Sequence, residues 1–537
     1  MKRPVLLSLL VVPLLVVVIL GGYWFLGTAT ETGVKRYFGG ENPLQGATLE
    51  LASYERGFFK SRATSSIRFS PDEEPVRLIN EIYHGPFAFA PGGIKAGTGH
   101  VVTTLDLESL PQEVREKVAS FYEGKDPLEI TTDVNFGGSR TSTVTLASVD
   151  HDEDGAQIRF GGGSGTFSFS PDNSRIDGQL AIEPVSLRFK EENSNFRLRG
   201  DRTTVSLKMS SETTSVVADG GSINLSFDGD SQGSFEIEGM QFSSLFSPAG
   251  PHSKVMLGSG KFTLPGAKAS WEEQSGGGQK GSFEMKDLSF EIKTSEANGL
   301  VTTSSDYDVA SLTLDSSTAT AAGPVIPLLR DGAQMSFSAT LPREIVEEVT
   351  SFQETLNPGG GIIASTGAAQ MSAAQAEELA RLIESALRKI SAGTGFQIQA
   401  RIGPDDSGPG ASLSFSYQGD RPLTAQKTYI EIIEASKLRL ETKVPKALFE
   451  GNGEMQGQIL GMLAIGALKE DGSNYSSVLA LEGTGLTANG KPLPILENFL
   501  PLLSQEIAWD AFFTGLQAGA RAQAAPDREN EDSAKPE

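Results

Sequence analysis

The stretch GSFEIEGMQF at residues 233–242 and its near copy GSFEMKDLSF at residues 281–290 decide the fold class. Each begins as an alternating strand, and a looser third copy begins at Gly178. Halfway through each copy the apolar parity slips, at Gly239, Asp287 and Pro184 respectively. Because strand side chains alternate between two faces, such a slip requires a bulge or a bend. The pattern predicts β-hairpin units laid side by side. The alternative is that alternating strands look alike by chance.

Further alternating runs extend this pattern along the chain. They are separated by Gly-Gly, Asp-Gly or Pro-Asp, which are typical turn dipeptides. The runs lie at 101–107, 130–136, 144–149, 158–160, 167–169, 196–198, 205–209, 223–227 and 335–339. Antiparallel strands with one apolar face have this pattern. We therefore predict an α+β fold, mainly antiparallel β, in which an extended or curved, repeat-containing sheet carries packed helices.

Three helices are predicted within this β-rich chain. Two share an entry pattern, LPQEV at 110–114 and LPREI at 341–345, each with a proline at the helix start and an acid in the first turn. Each follows an alternating run, so a strand-then-helix unit occurs twice, which suggests duplication. A third helix should run from the capping box at 372–375 to about Ser391, with one face packed on the sheet. The apolar run at 456–468 is too short to span a bilayer.

The amino-terminal segment 5–26 is almost wholly apolar, with Ser8 as its one polar exception. As a helix it would measure about 33 Å, which matches a hydrocarbon core of about 30 Å. A cleaved signal peptide would have a shorter apolar region, followed by an A-x-A-like site. We therefore predict a retained transmembrane helix, a signal-anchor. Basic residues at 2–3 favour a cytoplasmic amino terminus, although Lys35 and Arg36 weaken the asymmetry.

Composition and patterning give four predicted parts. They are an anchor at 1–30, a β-rich repeat-containing region at 31–340, an α+β region at 341–510, and a helical end with a disordered acidic tail at 511–537. The formal net charge of −23 disfavours nucleic-acid binding, because such a surface repels phosphate backbones. The chain has no cysteine, which excludes disulfides, thiolate metal sites and cysteine nucleophiles.

No motif nominates a catalytic, cofactor-binding or metal site. The stretch DHDEDG at 150–155 begins like an EF-hand calcium loop, but Gly161 stands where the loop needs a glutamate, and both flanks alternate like strands. A hairpin turn is the better interpretation, with weak calcium binding as the alternative. Neither a phosphate-binding loop nor a nucleophile elbow is present. The histidines lack the spacing of a zinc site: His84, His100, His151 and His252. The sequence therefore favours a non-enzyme and predicts no cofactor.

Three short stretches resemble the YdgA-like family of bacterial envelope proteins, whose function is largely unassigned. They are YERGFFKSRA at 54–63, HGPF at 84–87, and Tyr475 followed by LTANGKP at 486–492. The resemblance extends from residue 1 to about residue 500, although the Gly-rich middle can be aligned only loosely. It implies a single-pass protein of the bacterial inner membrane with a large periplasmic domain. It supplies no catalytic residues.

Local chemistry predicts turns at three points of these stretches, namely Arg56-Gly57, His84-Gly85-Pro86 and Asn489-Gly490. If exposed residues bind a partner, the candidates are Arg56, Phe58, Phe59 and His84.

Two functional hypotheses follow. In the first, an apolar concave face binds or passes lipid-like molecules in envelope biogenesis, by analogy of fold with membrane-tethered β-groove lipid-transfer proteins. In the second, the domain is a tethered, non-catalytic scaffold. It would bind protein or peptidoglycan partners through exposed edges or loops.

Overall fold

Antiparallel β-strands dominate the chain, which confirms the predicted α+β fold. The computed structural model describes residues 48–68, 75–153, 155–190, 193–229, 231–251, 253–273, 280–316, 330–356, 373–403, 408–449, 453–493 and 499–523. The predicted anchor at 5–26 and the predicted tail at 524–537 lie outside these residues. Within them, no helix has the length and apolarity needed to cross a membrane.

The chain divides into two compact units. The first comprises Met1–Ser243, Trp271–Gly278 and Gly359–Gly361, and the second comprises Ser244–Ser270, Gln279–Pro358 and Ile362–Glu537. The four parts drawn from the sequence stay predictions.

The first unit contains most of the short strands. They are β1 (Thr48–Glu55), β2 (Lys60–Arg68), β3 (Val76–His84), β4 (Phe87–Ala90), β5 (Gly93–Ala96), β6 (Gly99–Leu105), β7 (Leu128–Val134), β8 (Arg140–Leu146), β9 (Val149–Glu153), β10 (Ala156–Phe160), β11 (Gly163–Phe169), β12 (Ile176–Ile182), β13 (Val185–Lys190), β14 (Asn195–Gly200), β15 (Thr203–Met209), β16 (Thr214–Gly220), β17 (Ile223–Asp228) and β18 (Ser231–Ile237). Helix α1 (Gln112–Phe121) lies between β6 and β7, after a 3-10 turn at Leu107–Ser109. Two further strands, β19 (Met240–Pro248) and β20 (Met256–Glu273), continue past the limit of this unit.

Two antiparallel ladders organise these strands. Ladder A pairs β1, β2, β3, β6, β7, β8, β11, β12, β15 and β16 in that order. Ladder B pairs β9, β10, β13, β14, β17 and β18. From β8 onward, consecutive strands such as β8 and β9 are the two halves of one long strand, and the halves belong to different ladders. The chain therefore extends both ladders in turn.

A break of two residues separates the two halves of each long strand. These breaks lie at 147–148, 161–162, 183–184, 201–202, 221–222 and 238–239. Neighbouring breaks lie side by side, since Glu183 N–H donates to the Gly162 carbonyl at 2.9 Å and Asp201 N–H donates to the Ser222 carbonyl at 2.8 Å. We call this row of breaks the crease. The slips of parity predicted at Pro184 and Gly239 fall in it, which confirms that the strands are interrupted there.

The second unit is a single long ladder with helices. Its strands are β21 (Lys280–Ala297), β22 (Leu300–Val309), β23 (Ser311–Ser316), β24 (Ala333–Pro342), β25 (Gly395–Ile402), β26 (Gly410–Tyr417), β27 (Ser436–Pro445), β28 (Lys469–Asp471), β29 (Asn474–Glu482), β30 (Gly485–Ala488) and β31 (Lys491–Pro492). Its helices are α2 (Arg343–Leu356), α3 (Ala373–Lys389), α4 (Tyr429–Glu434), α5 (Gly453–Ala464), α6 (Leu500–Leu503) and α7 (Trp509–Gln523). The ladder runs through β21, β22, β24, β25, β26, β27, β29 and β30.

Strand β21 contains the third predicted slip of parity. Asp287 has a φ of 50°, and β21 pairs with β23 up to Lys286 and with β22 from Ser289 onward. The slip is therefore a local change of partner within one continuous strand. Both strand-then-helix units are also present, although β24 leads directly into α2 without the 3-10 turn that precedes α1.

The described helix α3 packs differently from the prediction. Its main partners are α2 and α7, where the sequence suggested the sheet. Arg388 lies 4.7 Å from the ring centre of Phe513, and Gln517 donates to Glu384 at 3.0 Å. Apolar side chains from this helical cluster are buried, among them Ile345, Ala380 and Phe513. A single stripe on a helix can face a sheet or other helices, and the sequence pattern is the same in both cases.

The crease should be sensitive to side chains at its glycines. Gly162 has a φ of +87°, and a Cβ there would lie 2.7 Å from the Leu146 carbonyl oxygen. We expect Gly162→Ala to lower the free energy of unfolding by about 1–3 kcal/mol, because the strained backbone and the close approach add together. Urea unfolding of the full chain measures this change. Gly137→Ala, where a Cβ meets nothing within 4 Å, is the control. Equal midpoints for the two variants would contradict the role given to the crease.

Candidate functional site

The first two family-like stretches meet at one end of β1, β2 and β3. Residues 56–59 form the turn between β1 and β2, and His84 ends β3, with its N–H donating to the Phe59 carbonyl at 3.1 Å. Both turns are as predicted. A Cβ at Gly57 would lie 2.0 Å from the Lys60 carbonyl oxygen, so the turn admits only glycine.

A buried hydrogen bond joins the two stretches. Ser61 and His84 are each 1% exposed, and Ser61 Oγ lies 2.8 Å from His84 Nε2. Gly57 N–H donates to the same Oγ at 3.2 Å, which leaves the hydroxyl proton to donate to His84 Nε2. His84 Nδ1 is buried without a hydrogen-bond partner among the described residues. The sequence did not indicate Ser61, because its partner is 23 positions away along the chain.

Burial lowers the pKa of His84 from its ordinary value, and the positive charge of Arg56 adds to the effect. A neutral imidazole accepts on one nitrogen only, which agrees with Nε2 as the acceptor from Ser61. A Ser–His pair of this kind could serve as a nucleophile and its base. Here both side chains are closed off from solvent, and the pair links two strands. It therefore acts as a structural contact, and His84 does not belong to a surface that a partner could touch.

A second polar network lies next to this pair, on the same face of ladder A. Asn80 donates to Ser65 Oγ at 2.9 Å and to the Ala63 carbonyl at 3.3 Å, and it accepts from Thr103 Oγ1 at 2.8 Å. Buried amides are stable only when such partners are supplied. With the apolar residues Leu78 and Ile82, which are also buried, this network forms a closed end of the ladder.

Exposed apolar side chains surround the same turns. Phe58 and Phe59 are 45% and 50% exposed and contact each other edge to face at 4.8 Å between ring centres. The hairpin of β4 and β5 follows His84 and exposes Phe87, Phe89 and Ile94. We call these five residues the aromatic tip. Of the four predicted partner-binding candidates, Arg56, Phe58 and Phe59 are exposed here.

From β7 onward, one face of each ladder is mainly apolar, with Thr132, Ser142, His151 and Glu153 as polar exceptions. The row beside the crease in ladder A consists of Leu128, Leu146, Gly163, Ile182 and Thr203. The matching row in ladder B consists of Val149, Phe160, Val185, Gly200, Ile223 and Ile237. The opposite face of ladder B carries polar side chains: Asp150, Arg159, Ser186, Arg199, Asn224 and Glu236. The apolar rows on either side of the crease together form what we call the apolar face.

Buried and exposed positions both occur on the apolar face. Beside the crease Val149, Gly163 and Gly200 are buried, whereas Ile182 is 37% exposed. The outermost rows carry three exposed large side chains: Phe189 at 42%, Phe227 at 38% and Met209 at 37%. Exposed apolar side chains therefore lie both beside the crease and far from it.

Side-chain sizes vary along the crease. Phe160 and Gly163 flank one break and Gly220 and Ile223 flank another, whereas Ile182 and Val185 flank a third. Few side chains on the face are fully buried. Among the described residues of β7–β18, Val149 is the one apolar side chain that is fully buried. Phe121 of α1 covers the beginning of the face, with its ring edge to face against His151 at 4.6 Å.

The second unit also exposes an apolar face. Paired rows across β22, β24 and β25 leave Tyr307, Met335, Phe337, Phe396 and Ile398 exposed. A pocket of about 500 Å³ lies on this unit. Its apolar lining includes Tyr307, Met335, Ala400, Ile402, Val444 and Leu448. This volume is within the range of ligand pockets, which are typically apolar.

The remaining sequence candidates have structural roles. Residues 150–153 of the acidic stretch lie on β9, which pairs with β10 as a hairpin, as predicted, and Gly155 has a φ of +82°. Its Asp150 faces Arg159 at 3.3 Å. At the predicted Asn489-Gly490 hairpin, Asn489 also donates to the Gly466 carbonyl at 2.8 Å and accepts from Val478 N–H at 3.0 Å. The turn signal did not reveal that Asn489 also fastens the segment after α5.

Comparison with known proteins identifies the family. The model described as "Bacterial protein of unknown function (DUF945)" matches residues 1–323, so the chain belongs to this family. Two Escherichia coli (strain K12) proteins are similar. "Uncharacterized protein YihF" is 24% identical over 194 residues, 32% of this chain and 39% of that protein. "Protein YdgA" is 22% identical over 174 residues, 29% of this chain and 34% of that protein.

The resemblance to the YdgA-like family is thereby confirmed. The alignments span less than half the length of these two relatives. No solved structure matches the chain.

The lowered pKa of His84 predicts a pH dependence of stability. In the unfolded chain the His84 imidazole binds a proton near pH 6.5, whereas in the folded chain it does so only at lower pH. The contribution of neutral His84 to the free energy of unfolding is therefore complete above pH 6.5 and is lost as the pH falls. We expect the unfolding free energy of the wild type to fall faster below pH 6.5 than that of His84→Gln. The excess is at most about 1.4 kcal/mol per pH unit between the two pKa values. Urea unfolding between pH 7.5 and 5 measures both slopes, and parallel slopes would contradict this account.

Proposed function

We propose that this member of the DUF945 family is a single-pass protein of the bacterial inner membrane whose periplasmic domain binds or passes lipid-like molecules in envelope biogenesis. The observation that carries the proposal is the apolar face of the first unit, which has apolar rows on both sides of the crease and, among the described residues, leaves Ile182, Phe189, Phe227 and Met209 exposed. Soluble proteins rarely leave large contiguous apolar surfaces without a ligand or partner.

The energetics favour an apolar occupant of this face. Transfer of apolar surface out of water stabilises by about 25 cal/mol per Å². An acyl chain that removed about 200 Å² from water would therefore gain about 5 kcal/mol before the costs of association. The polar side chains on the opposite face of ladder B cannot offer this gain. The pocket of about 500 Å³ in the second unit supports the same chemistry at a separate place.

The membrane part of the proposal rests on the sequence. Residues 5–26 have the length and apolarity of a membrane-spanning helix. A tether at the amino terminus would hold an apolar-ligand site near a bilayer, which is a source of lipid. The proposal is a non-enzymatic one, in line with the absence of a catalytic motif from the sequence.

Native mass spectrometry of the membrane-extracted full-length protein tests the proposal. We expect bound lipid to survive gentle extraction and to be identified after its release from the protein. A protein that carries no lipid and takes up no acyl probe would overturn the proposal.

A matched pair of variants locates the binding surface. Phe227 lies on the apolar face, and its neighbour Ser226 points to the opposite face of the same strand. We expect Phe227→Glu to weaken binding of a fluorescent acyl probe by about tenfold or more, because a carboxylate next to an acyl chain must be desolvated. Ser226→Glu adds the same charge and should leave the affinity unchanged. Similar losses in both variants would contradict the assignment of the face.

The aromatic tip favours a second candidate function, a tethered scaffold for a protein partner. Exposed aromatic side chains are typical anchors of protein interfaces. We expect the double variant Phe89→Ser and Ile94→Ser to lose reproducible protein crosslinks in whole cells. Phe136→Ser, which removes a side chain that is 63% exposed in the β7–β8 turn, is the control. Crosslinks to lipids alone, with no reproducible protein neighbour, would count against this candidate.

A further inference from the structure

Arg140 differs from every other residue in the rows that surround it. It begins β8 and lies on the apolar face, paired with Val134 on one side and Phe169 on the other. Among the described strands β7–β18, the other arginines and lysines lie on the polar faces or in turns. A charged side chain among apolar neighbours costs free energy unless a partner balances it.

The described residues supply only part of that balance. The Arg140 guanidinium lies over the Phe169 ring, 5.4 Å from its centre. Its Nε is buried and has no hydrogen-bond partner among the described residues. The carboxylates of neighbouring strands lie on the opposite face, where Asp133 binds His100 at 2.7 Å. The described contacts of Arg140 therefore include a ring and an unpaired Nε, and they include no carboxylate.

Its position on the face suits the polar end of an amphiphile. Arg140 lies in the outermost row of ladder A, next to the β7–β8 turn and away from the crease. A ligand with its acyl chains along the apolar rows would present its head group at this rim. Guanidinium binds oxyanions through paired hydrogen bonds, and a single arginine balances a single negative charge.

We propose that Arg140 binds the phosphodiester of a glycerophospholipid whose acyl chains lie on the apolar face. This inference rests on the proposed function and adds the chemical class of the head group. A phosphodiester carries one negative charge, which matches one guanidinium. Such a local cation stands out in a chain whose formal net charge is −23.

The test compares two lipids that share their acyl chains. Full-length protein in mild detergent is offered dioleoyl phosphatidylglycerol and dioleoylglycerol, which lacks the phosphate, and native mass spectrometry gives the ratio bound. We expect the wild type to prefer the phospholipid by about tenfold, which corresponds to about 1.4 kcal/mol. Arg140→Gln should reduce this preference to near unity while it still binds dioleoylglycerol.

A control and a third lipid complete the experiment. Arg197→Gln makes the same change of charge on the polar face of ladder B and should keep the wild-type preference. Equal binding of the two lipids by the wild type would overturn the role of Arg140 and leave the proposed function standing, whereas binding of neither lipid would overturn the proposed function itself. If the wild type bound oleate in preference to oleyl alcohol and showed no preference for phosphatidylglycerol, the phosphodiester assignment would be wrong. The ligand of Arg140 would then be a carboxylate.

Discussion

The register of the two-residue breaks is the constraint on which the first unit depends. In an unbroken strand Ile182 and Val185 would point to opposite faces, because their separation is odd and side chains alternate. The break at 183–184 brings both onto the apolar face. Since every neighbouring strand breaks at the same level, the rows of both ladders stay in register. A break one residue longer in a single strand would turn one half of its apolar side chains outward.

This constraint explains why the first unit can remain open. The backbone N–H and C=O groups of the ladders are hydrogen-bonded whether or not the apolar face is covered. The sheet can therefore form without a filled core on that face. Fully buried apolar side chains are concentrated at the closed end, around Leu78 and Ile82. The Ser61–His84 and Asn80 contacts fasten that end across β2, β3 and β6. The remainder of the face carries half-buried and exposed apolar side chains, on which the proposed function rests.

Local patterns predicted the strands, the turns at Gly57 and Asn489, and the slips of parity at Pro184, Gly239 and Asp287. All of these depend on neighbours within a few residues. The division into two ladders could not be predicted, because a strand often pairs with one that is not next to it in the sequence. Strand β12, for example, pairs with β15, and the two strands between them belong to ladder B. The Ser61–His84 bond and the packing of α3 on α7 were missed for the same reason. Arg140 also gave no local signal, since only its register places it on the apolar face.

The residues that carry the family resemblance therefore have a different role from the proposed binding surface. Gly57, Ser61 and His84 shape two turns and join them through a buried contact, so they fix where ladder A begins. None of them reaches the open part of the apolar face. A chain can share these stretches with relatives and still carry other side chains along β7–β18. Recognition of a ligand would then depend on the rim residues, and head-group selection could change through Arg140 without any change in the stretches that define the resemblance.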